Sequence, residues 1–160
     1  MSTYTVGNIT ESKILSAYLE AKFSVSVPFG SGCAYDLIVD TGKRLFRVQV
    51  KTGRIVNGCV IYKARRNMGS NNQTYRPYLK GEVDYFAVWC PENGCFYGVP
   101  ADDSLILEVK LRVSKARNSQ QKHIKWARDY TWEKHIAELR RLGAAEEEKN
   151  SANRSRKACA

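Results

Sequence analysis

Acidic side chains are scarce in this 160-residue chain: 16 Asp and Glu stand against 26 Lys and Arg, for a formal net charge of +10. No apolar run approaches the roughly 18 residues that a membrane span needs, so no membrane partner is expected. Residues 1–8 are polar and lack the apolar stretch of a secretory signal, which gives the expectation of a cytoplasmic protein. The cysteines, Cys33, Cys59, Cys90, Cys95 and Cys159, are odd in number, and no spacing among them reads as zinc-binding. Reduced thiols are expected, although Cys90 and Cys95 flank a turn and could face each other across a hairpin. There is no internal repeat. With 43% hydrophobic residues, the length fits one domain with its own core. Its expected extent is 1–143, with a polar, disordered tail at 144–160.

The missing acids are concentrated in two places. Residues 65–81 contain no acid, and hold Arg65, Arg66, Arg76 and Lys80 among Asn, Gln and Tyr. Residues 110–128 likewise contain none, and carry Lys110, Arg112, Lys115, Arg117, Lys122, Lys125 and Arg128. Such an excess favours polyanionic partners, of which nucleic acid is the commonest.

The pattern predicts a helix over 8–22 with an Ile14, Leu15, Tyr18, Leu19 stripe, Asn8 as N-cap and Glu11 as capping-box acid. Strands are predicted over 23–28, 35–40 and 43–52, the last two joined by Thr41-Gly42, and a single strand over 55–63. Residues 65–81 have little periodicity and read as a long functional loop. A hairpin around Glu92-Asn93-Gly94 joins 83–90 to 95–99, and a strand follows over 105–113. A final helix over 130–142 is expected to stop at Gly143. The fold class is α+β.

Gln49 and Lys51 lie two apart in an apolar strand, so both point to one face, with Val48 and Val50 on the other. Asp36 opens the neighbouring strand. Phosphodiester hydrolysis needs a cation to neutralise the phosphate, an activated water and stabilisation of the leaving oxygen. Asp36 can supply one hard oxygen ligand, and the amide oxygen of Gln49 or the carbonyl of Val50 another. Lys51 can orient the attacking water or pair with the phosphate. Glu11 can reach toward the cation's water shell. Taken singly, Asp36 could simply open a strand, Lys51 could be a surface lysine and Glu11 could be a helix cap.

The set resembles the PD-(D/E)XK nuclease superfamily, and within it the small endonucleases associated with group I introns. The resemblance spans about residues 6–142. It rests on Gly7-Asn8-Ile9-Thr10-Glu11, Val27-Pro28-Phe29-Gly30, Tyr35-Asp36-Leu37-Ile38 and Val48-Gln49-Val50-Lys51-Thr52. Val83-Asp84-Tyr85-Phe86-Ala87-Val88 and Phe96-Tyr97-Gly98-Val99-Pro100 extend it. Tyr35 stands where the name-giving proline would be, and Gln49 is neutral where most members carry an acid. The resemblance implies a restriction-endonuclease-like core and a magnesium-dependent DNA endonuclease, with manganese able to substitute. Glu11, Asp36, Gln49 and Lys51 would be catalytic, and Asp36, Gln49, Val50 and Glu11 would hold the metal. It further implies a homing role on double-stranded DNA with a long pseudo-palindromic site, cut by a homodimer or homotetramer. Arg65, Arg66, Asn71, Asn72, Gln73, Arg76 and Lys80 are candidates for reading DNA in the 64–81 loop. Lys115, Arg117 and Lys122 are candidates for holding phosphates. Two rival readings are a junction or repair nuclease of the same superfamily and a non-catalytic basic DNA-binding protein.

Overall fold

The computed structural model describes residues 2–30, 32–67, 74–101, 107–114 and 124–158, with side chains up to residue 146. The first helix, α1 (Thr3–Glu20), is followed by β1 (Ser24–Ser26), β2 (Leu37–Asp40), β3 (Leu45–Thr52), β4 (Arg54–Val56) and β5 (Cys59–Tyr62). Then come β6 (Arg65–Asn67), β7 (Tyr75–Pro77), β8 (Tyr85–Cys90), β9 (Cys95–Pro100) and β10 (Val109–Arg112). A short 3-10 turn, Ala127–Asp129, leads into α2 (Trp132–Ala158).

The main sheet has the order β1-β2-β3-β8-β9 and is antiparallel except for the parallel β3–β8 pair. Period-two alternation sorts its side chains into two cores. Phe46, Val48 and Val50 of β3, with Tyr85 and Ala87 of β8, face Ile14 and Tyr18 of α1 and Ile136 and Leu139 of α2. Phe86, Val88 and Cys90 face the other way, against Val60, Tyr62, Val109 and Leu111 of a smaller sheet ordered β10-β5-β4. The molecule is therefore layered helices, five-stranded sheet, three-stranded sheet. This is the expected α+β architecture, with the antiparallel meander interrupted by one parallel crossover between β3 and β8.

Several local expectations are corrected. Helix α1 starts earlier than residue 8, because Ser2 caps it: its Oγ accepts from the Thr5 amide at 3.1 Å. Asn8 and Glu11 are therefore inside the helix, and the capping-box explanation of Glu11 falls. The buried stripe is Thr10, Ile14, Ala17 and Tyr18, while Leu19 is exposed. The strand expected over 55–63 is two strands, β4 and β5, split by Asn57-Gly58 at φ 51° and 71°, the left-handed pair of a tight hairpin. The long loop is partly a ribbon in which β6 pairs with β7. Gly143 does not end the last helix, which continues to Ala158. A Cβ there would lie 2.6 Å from Thr41 Oγ1, so this glycine marks a close approach and not a stop. Cys90 and Cys95 do face each other in register, as free thiols.

His135 locks the layers together. It sits over Gly98, where a Cβ would fall 2.0 Å from its ring, and its Nε2 shares a 2.7 Å hydrogen bond with the Tyr18 hydroxyl. Burial pushes its pKa down to about 4 from 6.5, against a weaker upward pull from Glu138. Folded His135 stays neutral, while in the unfolded chain it protonates below about 6.5. Its contribution is complete above that pH and is lost as pH falls toward 4, by up to ~3 kcal/mol. The urea midpoint is expected to drop across this window, and His135→Gln should flatten that drop. Parallel curves for the two proteins would mean that His135 is not held neutral.

Candidate active site

The register that pairs Leu37 with Val48 sets Asp36, one residue earlier, opposite Gln49. The Asp36 amide donates to the Val48 carbonyl at 3.0 Å, fixing the backbone just before β2. Asp36 Oδ2 accepts from the Val50 amide at 2.8 Å and from Gln49 Nε2. Gln49 Nε2 also lies 3.4 Å from the Val50 carbonyl. Lys51, two residues on, shares the face of Gln49 and donates from Nζ to the Tyr78 hydroxyl at 3.2 Å. Glu11 arrives from α1, which is pinned to the end of β3 by the 2.7 Å Thr10–Thr52 hydroxyl contact. Its charge interacts with both Asp36 and Lys51. The structure thus brings Glu11, Asp36, Gln49, Val50 and Lys51 to one place.

Burial opposes charge throughout this cluster. Asp36 is shifted upward by desolvation, which the Val50 amide, Lys51 and Gln49 partly offset. Glu11 is shifted upward by desolvation and then by Asp36, with Lys51 pulling the other way. Lys51 is shifted downward by desolvation against the attraction of Asp36 and Glu11. Carboxyls that hold protons more readily and an ammonium that holds them less readily are suited to moving protons nearer neutral pH.

The donor set fits a hard divalent cation. The amide nitrogen of Gln49 places the positive end of a dipole between Asp36 Oδ2 and the Val50 carbonyl, where two oxygens converge. One correction concerns Gln49 itself: it turns its nitrogen, not its oxygen, toward Asp36, so serving as a ligand requires the amide to rotate. Among the described residues no three His, Cys, Asp or Glu side chains gather as a metal cluster. A cation held by so few acids needs main-chain, water or phosphate oxygens, as magnesium commonly has.

Above the cluster lies an open cleft of about 730 Å³. Its floor includes Asp36, Gln49 and Lys51, and its far wall is the outer face of the smaller sheet. Arg54 and Ile61 are cross-strand partners, Ile61 also pairs with Lys110, and Lys63 follows Ile61 by two. Arg54 and Lys63 both line the cleft. Sequence reasoning missed them because the Asn57-Gly58 turn was hidden within one long strand. Once the turn is recognised, alternation puts Arg54, Ile61 and Lys63 on one face.

The ribbon supplies the remaining side of the cleft. Arg65 stacks on Tyr75 at 3.7 Å. Arg66 and Arg76 are cross-strand partners and both bond Glu82, at 3.1 Å and 2.6 Å. The Arg76 pairing, with the Leu79 amide, holds the Glu82 carboxyl down to about 2. Two expected base readers are therefore clamped to the protein body. Lys80 is exposed in the turn that follows. Asn71, Asn72, Gln73, Lys115, Arg117 and Lys122 lie outside the described residues. Tyr78 and Glu82 also escaped sequence reasoning, since neither has a signature apart from its partners.

Residues 1–133 match the sequence model of the PD-(D/E)XK endonuclease family. The chain belongs to this family. Its fold is similar to that of a solved bacterial homing endonuclease, I-Ssp6803I, with a TM-score of 0.74 at 24% identity over 92% of this chain and 99% of the other. No curated protein gives a match. The strands that place Asp36 and Lys51 are adjacent and in register.

Asp36→Asn is expected to move the pKa of Lys51 further down, because the attraction that opposes burial is removed. Glu11 should also move down, toward the usual carboxylate range, on losing a like charge. Side-chain NMR titration reads both. A Lys51 titration unaltered by Asp36→Asn would show that the two groups do not face each other.

Proposed function

We propose that this endonuclease is divalent-metal-dependent, with magnesium as the working ion and manganese able to substitute, and that it makes site-specific double-strand breaks in DNA. The observation that carries this reading is the convergence of Asp36, Gln49 and Lys51 on the floor of a cleft walled by Arg54, Lys63 and Arg65. Asp36 and the Val50 carbonyl would hold the cation, with Glu11 reached through water. Bound there, it supplies charge neutralisation at the phosphate and lowers the pKa of a water.

The chain's own residues do the rest. The Val50 amide fixes the Asp36 carboxylate at Oδ2, and Gln49 Nε2 holds the same oxygen until the cation takes its place. Lys51 offers an ammonium to the attacking water or the phosphate from a strand that cannot rotate. Arg54, Lys63 and Arg65 receive the flanking phosphates, and the ribbon reads the adjacent groove. One site cuts one strand, so a homodimer or homotetramer on a long pseudo-palindromic site supplies the second cut. A homing role, promoting intron mobility, is supported by the homing endonuclease among the similar structures.

A supercoiled plasmid bearing the intron-less insertion site, incubated with magnesium, should become linear. Lys51→Ala and Asp36→Ala should bind the site but cut at least about 100-fold more slowly. Persistent cutting by purified Asp36→Ala would sink the assignment, and preferential cutting of four-way junctions would favour the structure-selective rival. Binding without cleavage by wild type in either metal would favour the non-catalytic rival.

The basic wall gives a second measurement. The double variant Arg54→Gln/Lys63→Gln should bind more weakly, and the slope of log affinity against log salt should flatten by about 2. An unchanged slope would remove both residues from the DNA-binding surface.

A further inference from the structure

Tyr78 joins the ribbon to the catalytic strand. Its hydroxyl accepts from Lys51 Nζ at 3.2 Å, and Nζ lies 5.5 Å from its ring centre. A lysine has a long stem with large rotamer entropy, so an acceptor and a ring face on one neighbour restrict where the ammonium sits. The ring is itself held edge-on by Phe86 at 5.3 Å, and Phe86 is the register partner of Gln49 on β8.

From the other side Tyr78 is bracketed by a clamp. Arg76 bonds Glu82 through both terminal nitrogens, at 2.7 Å and 2.6 Å, and the Leu79 amide bonds the same carboxylate at 2.8 Å. Arg66, on the opposite ribbon strand, joins Glu82 at 3.1 Å and reaches the Gly32 carbonyl at 2.6 Å. One carboxylate thus ties both ribbon strands to the turn that carries Tyr78.

We infer that Tyr78 is a positioning residue: it sets the Lys51 ammonium, and the Glu82 clamp makes that setting depend on how the ribbon sits. The inference rests on Lys51 serving in the proposed cleavage. A ribbon displaced on a wrong sequence withdraws the hydroxyl from Lys51, so discrimination is read in the rate of cutting more than in affinity.

The test uses the full-length chain and the duplex insertion site. Single-turnover cleavage is measured with magnesium, and affinity without divalent metal. Tyr78→Phe, which keeps the ring, should cut at least tenfold more slowly with affinity within twofold of wild type. Glu82→Gln should slow cutting, and Tyr78→Phe/Glu82→Gln should be no slower than the worse single variant, because the two act in series. Full-rate cutting by Tyr78→Phe beside an inactive Lys51→Ala overturns the inference and leaves the proposed function standing. A joint loss of rate and affinity, or independent multiplication of the two effects, overturns it as well. Normal cutting by Lys51→Ala overturns the role of the lysine and this inference with it. A readout that needs no cleavage is NMR relaxation of the Lys51 side chain: Tyr78→Phe should mobilise it, and unchanged order overturns the proposal.

Discussion

The two-residue period of β3 governs the cleft. One face of this strand is buried against the helices, and the other carries Gln49 and Lys51 into the cleft. Phe46, Val48 and Val50 fill the helical side, which leaves Gln49 and Lys51 only the cleft side. A slip of one residue would drive an ammonium into the apolar core and turn two valines to water, so the register is strongly specified. The pairing with β2 then brings Asp36 opposite Gln49 without any further device. Arg47 reinforces the setting on the parallel side: its backbone amide donates to Asp84 Oδ2 at 2.7 Å, and the Asp84 amide donates back to the Arg47 carbonyl at 2.8 Å.

That dependence explains why the floor of the site was legible in the sequence. Alternation along 45–52 is written in the residues themselves, and a strand permits only one sorting of them. The hairpin 83–99 was legible for the same reason, with its Glu92-Asn93-Gly94 turn. Features decided by competition between local options were not. Asn8 and Ser2 are both good N-caps, and nothing local ranks them; the helix simply begins at the first. Gly143 has the composition of a helix stop, but its neighbours Ala144, Ala145 and Glu146 are strong helix formers and Thr41 needs the space. The ribbon was least legible. Its six paired residues show no apolar alternation, and Arg66 and Arg76 among them are tied by Glu82, a residue outside the pairing that only the fold brings near.

Charge tells a complementary story. The chain is strongly basic, yet the cluster at the floor contains two carboxyls and one ammonium, all displaced by burial from their ordinary titration ranges. The cleft walls are basic instead, with Arg54 and Lys63 exposed and Arg65 stacked on Tyr75. A polyanion is drawn to the walls by long-range field, while the floor acts only at contact. In the proposed function attraction and chemistry would fall to different layers of the fold, the smaller sheet and ribbon for one and the main sheet for the other.

Gln49 is intelligible within this division. An acid opposite Asp36 would set two carboxylates side by side in a partly buried place, and each would raise the other's pKa until a cation arrived. The amide avoids that repulsion. It donates to Asp36 and leans toward the Val50 carbonyl, so both oxygens have a partner. The consequence is a weaker electrostatic pull on a divalent ion, since one negative charge is missing. In the proposed reading that shortfall would be met by a phosphate, with its own negative oxygens, entering the cleft beside Asp36. Under the proposed function, a neutral residue at this position would make cation binding and DNA binding mutually dependent.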